Sequence, residues 1–288
     1  MKSGSIALFG FGILPLALGA VVLLGPGASV APVPKPVTII AGEFALQAPD
    51  TLAEGAVTFD LVNRGKEFHH LWIARLEDGR TMEDVQAMLK NPGPPPSWIH
   101  DIGGPNAPMP EGGIANATVR LLPGTYVLGC WIPSADGVPH IMKGMVRQLT
   151  VVPAEHPAPA PVPTVTMTLH DYGFTLSRPL TPGRHLIEVR NLASQSHEIE
   201  LATLNQGRTA QDLLAWIHEP AGPIPGAAIG GVSPIAKGEV AWFEVDVRPG
   251  RYALICFLPD AKDGKPHFVH GMVQEIEVGS GAAAAEAS

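Results

Sequence analysis

Residues 122–151 read LPGTYVLGCWIPSADGVPHIMKGMVRQLTV, and residues 248–278 read RPGRYALICFLPDAKDGKPHFVHGMVQEIEV. Each stretch begins with Pro-Gly-x-Tyr, runs through apolar residues to a Cys, continues through Asp-Gly and Pro-His, and reaches Gly-Met before another apolar run. Short apolar runs bounded by Gly, Pro and Asp predict β-strands joined by turns. The chain therefore carries the same strand, loop and strand twice.

The similarity extends far beyond these two stretches. The matching pairs are Asn63 and Asn191, His69 and His197, Thr81 and Thr209, Cys130 and Cys256, and Met145 and Met272. The offset stays between 126 residues (130 to 256) and 128 residues (69 to 197). Such constancy indicates a duplicated domain. We call residues 37–152 the first half and residues 164–279 the second half.

Composition indicates an all-β protein without a nucleic-acid partner. The 32 Gly and 30 Pro residues suit many short strands joined by turns. A net charge of −8, with no basic stripe, argues against binding to phosphates. The two cysteines lie one in each half, so a disulfide within either half is impossible, and we do not expect a bridge between equivalent strand ends.

Three segments lie outside the two halves. Residues 1–31 read as a targeting segment, with Lys2 before an uncharged apolar run over residues 6–24. Two interpretations stay open, a cleaved signal peptide or a retained membrane anchor, and both predict export. Residues 153–163 form a Pro-rich linker that we expect to keep the halves apart. Residues 280–288 read as a disordered tail.

Four candidate ligand residues recur in both halves in an order that suits a soft metal. A thiolate, two imidazoles and a thioether are ligands that copper prefers. Singly, such residues are more often a buried Cys, a core Met and a surface His. Neighbouring residues differ between the halves, as where His70 aligns with Glu198 and Trp131 with Phe257. The four candidate ligands do not differ. We therefore predict a copper site in each half.

These residues also carry a family resemblance. An Asn followed by a His, a Gly-x-Tyr strand that ends in Cys, and His-x4-Met before the last strand resemble a tandem cupredoxin, the blue-copper fold of plastocyanin and azurin. The resemblance implies two tandem Greek-key β-sandwich domains, each with a short helical insertion and one copper ion at one end. The ligands it implies are His69, Cys130, His140 and axial Met145, then His197, Cys256, His267 and axial Met272.

The resemblance leaves three points open. The Cys-to-His segments 131–139 and 257–266 are longer than usual in small blue-copper proteins, and their Asp-Gly turns could either bring the His back or hold it away. His70 follows His69 directly, so only one of them can face the site, and the match with His197 favours His69. His270 lies between His267 and Met272 and is an alternative to either.

The sequence also leads to an expectation about function. No His-x-His pair occurs, and the residues before the two cysteines are Gly129 and Ile255, so we expect no second copper centre and no enzymatic activity. We expect an exported, periplasmic or extracytoplasmic copper protein that transfers single electrons to a redox partner protein. A copper carrier or a metal-free binding module is the alternative. The oligomeric state is not predicted.

Overall fold

Both halves consist of short strands with one α-helix and one turn of 3-10 helix. In the computed structural model, the described residues are Met1 and 35–279, apart from 92 and 94. The elements of the first half are β1 Val37–Gly42, β2 Ala45–Gln47, β3 Thr51–Ala53, β4 Gly55–Asn63, β5 Trp72–Leu76, α1 Met82–Lys90, β6 Ile99–Gly103, β7 Ile114–Leu121, β8 Gly124–Gly129, the 3-10 turn His140–Lys143 and β9 Val146–Val152.

Among the described residues, the second half repeats this order without a counterpart of β3. Its elements are β10 Val165–His170, β11 Gly173–Leu176, β12 Gly183–Asn191, β13 His197–Leu204, α2 Ala210–His218, β14 Gly226–Ile235, β15 Val240–Val247, β16 Gly250–Ile255, the 3-10 turn His267–His270 and β17 Val273–Val278. The short helical insertions that the resemblance implied are α1 and α2, and both helices begin with a capping box, formed by Thr81 with Asp84 and by Thr209 with Asp212.

Each half is a sandwich of two sheets. In the first half, β2-β1-β4-β7 form one layer and β6-β5-β8-β9-β3 the other. In the second half, β11-β10-β12-β15 face β14-β13-β16-β17. The first strand of each half runs parallel to a later one, β1 to β4 and β10 to β12, while most other pairs are antiparallel. The predicted fold class of two tandem β-sandwiches is confirmed.

The tyrosines of the two Pro-Gly-x-Tyr turns hold these turns by hydrogen bonds to the backbone. The hydroxyl of Tyr126 donates to the carbonyl of Leu122 at 2.8 Å and accepts from its amide at 2.9 Å. Tyr252 makes the same two bonds with Arg248. The glycine before each strand, such as Gly124 with φ of 151°, adopts a conformation that favours glycine. These bonds anchor the start of the strand that leads to each Cys.

The halves are joined more closely than the linker suggested. Strand β7 pairs with β15 and β6 pairs with β14, so each sheet continues from one half into the other. Asn116 adds two bonds across the boundary, donating to the carbonyl of Glu244 at 2.9 Å and accepting from its amide at 2.8 Å. The largest cluster of buried apolar side chains also includes residues of both halves.

The expectation that residues 153–163 keep the halves apart is wrong. Ala158 forms a bridge to Gly55, and its carbonyl accepts from the amide of Ala56 at 2.9 Å. A Cβ at position 55 would lie 2.5 Å from the nitrogen of Ala158, so the close approach requires glycine there. The linker therefore packs along the edge of the first half, which leaves the two halves free to share their sheets.

Predictions about the two ends of the chain concern residues that the structure does not cover. The targeting segment 1–31, apart from Met1, and the tail 280–288 lie outside the described residues. Within the described part, no helix is both long enough and apolar enough to cross a membrane.

Candidate metal centres

The long Cys-to-His segment of each half folds into a small hairpin. In the first half, Pro133 pairs with Pro139, and the Asp-Gly turn between them closes through a 2.8 Å bond from the amide of Gly137 to the carbonyl of Ser134. The amide of His140 then donates to the carbonyl of Ile132 at 3.0 Å. The extra residues therefore bring the histidine back to the end of strand β8. The second half repeats this hairpin with Pro259 and Pro266.

Three donor atoms converge in the first half. The Nδ1 atoms of His69 and His140 lie 3.0 Å apart, and Sγ of Cys130 lies 3.5 Å from Nδ1 of His140. All three side chains are fully buried. Ligands held at about 2.0–2.3 Å from one ion lie roughly 3–4 Å from each other. The spacing therefore suits one metal ion among the three atoms.

The second half has the same cluster. Sγ of Cys256 lies 3.8 Å from Nδ1 of His197 and 3.3 Å from Nδ1 of His267. Within each group of three residues, the donor atoms lie within 4.8 Å of one another. The geometry thus brings together six of the eight predicted ligands, three in each half.

The two methionines are the remaining predicted ligands. Met145 and Met272 are fully buried. The amide of Met145 donates to the carbonyl of His140 at 3.0 Å, and its carbonyl accepts from the amide of Cys130 at 3.3 Å. Met272 makes the equivalent bonds with His267 and Cys256. Their backbones are therefore tied to the clusters, and an axial role for their sulfurs stays a prediction.

The choice between His69 and His70 is resolved by what each ring contacts. His69 lies in the cluster, whereas Nε2 of His70 accepts a hydrogen bond from the amide of Trp131 at 2.9 Å. Both residues precede β5, which begins at Trp72. His270 lies outside the second cluster, and its Nε2 is 3.1 Å from a carboxylate oxygen of Asp263.

The Asn in each motif shapes the loop that leads to the first histidine. Asn63 is fully buried, its Oδ1 accepts from the amide of Gly65 at 2.9 Å, and its Nδ2 donates to the carbonyl of Glu67. Asn191 makes the equivalent bonds with Ala193 and Gln195. The Asn therefore acts on the backbone of the loop, which explains why it recurs before His in both halves.

Carboxylates lie beside the outer nitrogens of the histidines, and sequence reasoning missed them. Oε2 of Glu67 is 2.8 Å from Nε2 of His140, and Oδ1 of Asp171 is 3.3 Å from Nε2 of His197. A carboxylate there holds the proton on Nε2 and leaves Nδ1 free for a metal. Asp171 lies in the turn between β10 and β11, so no pattern near the ligands along the chain points to it.

Aromatic side chains cover the second histidine of each site. The ring centroid of Phe44 lies 5.3 Å from that of His140, and the ring of Tyr172 lies 5.9 Å from that of His267. Both aromatic residues adopt positive φ, 59° and 65°, which is uncommon for a bulky residue. Equivalent turns in the two halves thus hold a half-buried ring over each cluster.

Burial sets the charge of the metal-free clusters. It lowers the pKa of His69, which also lies beside His140, to about 4, and it lowers the pKa of His267 to about 4. Burial raises the pKa of the Cys130 thiol to about 12 and that of Cys256 higher still. At neutral pH the thiols are therefore protonated and these two imidazoles are neutral.

The donor set fits copper, one ion in each half. Each cluster offers a thiol sulfur and two imidazole Nδ1 atoms in a buried trigonal arrangement, which is the equatorial set of a blue-copper site. The outer nitrogens of His69 and His267 have no hydrogen-bonding partner among the described residues, so the rings are held by packing and not by a competing bond.

We expect Glu67→Gln to weaken Cu(II) binding at the first site by about 10- to 100-fold, because the charged acceptor that orients His140 is lost. Competition with a coloured chelator measures the affinity. Glu77→Gln is the matched control, since Glu77 lies in the same half and pairs with Arg75 at 2.6 Å. Equal affinities of Glu67→Gln and the unmodified protein would show that this carboxylate does not support the site.

We also expect copper binding at pH 7 to release about one proton per site, because the bound thiolate must lose the proton that burial keeps on it. The affinity should fall by about tenfold for each unit that the pH drops below neutral, and faster near pH 4, where His69 and His267 also take up protons. Calorimetry in buffers of different ionisation enthalpy measures the proton count. Release of no proton would exclude the sulfurs as ligands.

Comparison with known proteins found solved structures that are similar to this chain. No family model and no curated protein matches the chain. A reduced auracyanin from Roseiflexus castenholzii is 24% identical, covers 41% of this chain and 97% of its own, and has a TM-score of 0.30. A blue copper oxidase from Nitrosomonas europaea is 17% identical over 84% of this chain and 85% of its own, with a TM-score of 0.23.

A copper-containing nitrite reductase from Thermus scotoductus is 12% identical over 84% of this chain and 61% of its own, with a TM-score of 0.23. Two of these three structures are copper enzymes. The expectation that the chain is not an enzyme, drawn from the missing His-x-His pair, is therefore wrong as it stood. The two tandem β-sandwiches, each with a buried His, Cys and His cluster, agree with the fold and ligand placement that the resemblance to cupredoxins implied.

Proposed function

We propose that the protein transfers single electrons through one copper ion in each half. The observation that supports this function is the preformed, buried set of two Nδ1 atoms and one Sγ atom, present in both halves. Copper supplies the one-electron redox chemistry when it is bound. The residues supply donor atoms whose positions are set by backbone hydrogen bonds, so that a change in oxidation state needs little movement of the ligands.

The burial of the ligands favours electron transfer over a carrier function. A carrier passes on its ion by ligand exchange, which requires that an incoming ligand reach the metal. All six donor side chains are fully buried here. An electron needs no such access, because it can pass through the half-buried rings of Phe44 and Tyr172, which lie over the sites. A redox partner protein would approach this face.

The test is the visible spectrum of the Cu(II)-loaded protein. A thiolate bound to Cu(II) gives an intense charge-transfer band, so we expect Cys130→Ser and Cys256→Ser each to remove the contribution of one site and the double variant to remove all of it. Met142→Leu is the matched control, since Met142 lies in the same 3-10 turn as His140 but is exposed. The loaded protein should also be reduced and reoxidised reversibly by one electron per site.

Two outcomes would contradict this function. A colourless Cu(II) protein would exclude thiolate-bound copper. Tight copper binding without reversible one-electron reduction would indicate a carrier instead.

We also propose that the protein is exported, which rests on Lys2 and the apolar run 6–24 in the sequence. The intact mass of the protein recovered from cells tests this. Loss of about the first 31 residues indicates a cleaved signal peptide, and full mass in the membrane fraction indicates an anchor. Full mass in the cytosolic fraction would contradict export.

A further inference from the structure

Two carboxylates and an imidazole lie together beside the second buried cluster. Asp260 and Asp263 belong to the hairpin of residues 257–266, and His270 ends the 3-10 turn that follows it. The donor atoms of these three residues all lie within 4.8 Å of one another, and none of the three residues belongs to the group around Cys256. We call Asp260, Asp263 and His270 the hairpin cluster.

Asp260 is held in place by neutral donors only. It is 3% exposed, and its Oδ2 accepts from the hydroxyl of Tyr172 at 2.5 Å and from Nε2 of Gln195 at 2.9 Å. Its Oδ1 accepts from the amide of Lys262 at 2.8 Å. A carboxylate has about four acceptor positions, so these three bonds fix the orientation of Asp260 and leave one position on Oδ1. None of the three donors carries a positive charge.

The other two members of the hairpin cluster are exposed. Nε2 of His270 lies 3.1 Å from Oδ1 of Asp263, and the amide of Lys265 donates to the same oxygen at 3.0 Å. Nζ of Lys265 lies 3.7 Å from Oδ2 of Asp263, but this side chain is 64% exposed, so solvent screens its charge. Asp263 and His270 are therefore free to rotate towards Asp260.

The first half holds a cation at the equivalent position. Lys143 is equivalent to His270, and Asp136 is equivalent to Asp263. Nζ of Lys143 lies 2.8 Å from Oδ2 of Asp136, and the lysine side chain is only 22% exposed. The first hairpin thus has a positive charge built into its own chain, and the second half carries an imidazole in that place.

The aromatic rings show that the two residues also occupy the same place in the folded halves. Nζ of Lys143 lies 4.7 Å from the ring centroid of Phe44. The ring of His270 lies 5.2 Å from that of Tyr172, the equivalent of Phe44. The correspondence between Lys143 and His270 is therefore structural as well as sequential.

A buried nitrogen supplies a second, independent sign of a ligand beside Asp260. Nε2 of His267 belongs to a fully buried ring, has no hydrogen-bonding partner among the described residues, and lies 3.8 Å from Oδ2 of Asp260. In the first half, Nε2 of the equivalent His140 has a carboxylate at 2.8 Å. Buried polar atoms without a protein partner are commonly satisfied by a water molecule or an ion. The nitrogen of His267 points at the carboxylate that has no positive partner.

We propose that Asp260, Asp263 and His270 bind a zinc ion, which supplies the positive charge that Lys143 supplies in the first half. Zinc takes imidazole nitrogen and carboxylate oxygen at about 2.0–2.2 Å, with a water molecule as the fourth ligand of an open site. Calcium and magnesium fit less well, because they prefer oxygen ligands only. The two carboxylates balance the charge of the ion. The proposal goes beyond the proposed function and needs no copper in the buried clusters.

The test counts zinc ions by calorimetric titration of the metal-free protein with Zn²⁺ alone. His270→Lys installs the residue of the first half, and we expect it to bind about one zinc ion fewer per molecule, because the ammonium takes the place of the ion. Asp263→Asn should lose the same ion. His218→Lys is the matched control, since His218 is an exposed histidine at the end of α2 in the same half, and it should bind as many ions as the unmodified protein.

Anomalous scattering at the zinc absorption edge then locates the ions in crystals of the unmodified protein. A peak among Asp260, Asp263 and His270 supports the proposal, and we expect it to be absent in His270→Lys. Three results would overturn the proposal: no peak there, an unchanged zinc count in His270→Lys, or saturation only at a large excess of zinc, which marks an adventitious ion. Metal found or missing in the buried clusters concerns the proposed function alone.

Discussion

Each metal cluster depends on the two backbone hydrogen bonds of its cysteine. The amide of Cys130 donates to the carbonyl of Met145 at 3.3 Å, and its carbonyl accepts from the amide of Ile141 at 2.7 Å. The end of strand β8 is thereby joined to the 3-10 turn that begins at His140. Because both backbone groups of Cys130 are hydrogen-bonded, the fold sets the distance from Sγ of Cys130 to Nδ1 of His140. A metal ion that binds there therefore has to order few residues.

The duplication explains how much of this could be predicted from sequence. Ligands such as Cys130 and His140 lie close together along the chain and occur twice, so their residue types and order were visible. The hairpin of residues 131–139 could have ended on either side of the site, because an Asp-Gly pair specifies a turn but not the direction in which the hairpin packs. Glu67 and Asp171 were missed because their contacts exist only after folding.

The two sites are alike in their donors but differ in how they are supported. In the first, a carboxylate bonds to the histidine after the cysteine, through Glu67 and His140. In the second, the closer carboxylate, Asp171, bonds to the histidine before it, His197, while Asp260 lies 3.8 Å from His267. A carboxylate makes its imidazole a stronger donor to the metal. The negative charge therefore strengthens a different ligand in each half, which gives the two sites a physical basis for different potentials.

Equivalent residues of the two halves make equivalent backbone bonds across the boundary. Asn106 donates its amide to the carbonyl of Gly231, and the equivalent Ser233 donates to that of Gly104, so the halves meet about an approximate twofold axis. Such an axis places equivalent residues near each other.

His70 and Glu198 differ in type but have equivalent hydrogen bonds. Nε2 of His70 accepts from the amide of Trp131, and Oε1 of Glu198 accepts from the amide of Phe257. In the sequence alone, the difference between His70 and Glu198 looked like random divergence between the two copies. In the folded chain the two side chains do the same work, since each accepts from the amide of the residue after the cysteine of its own half.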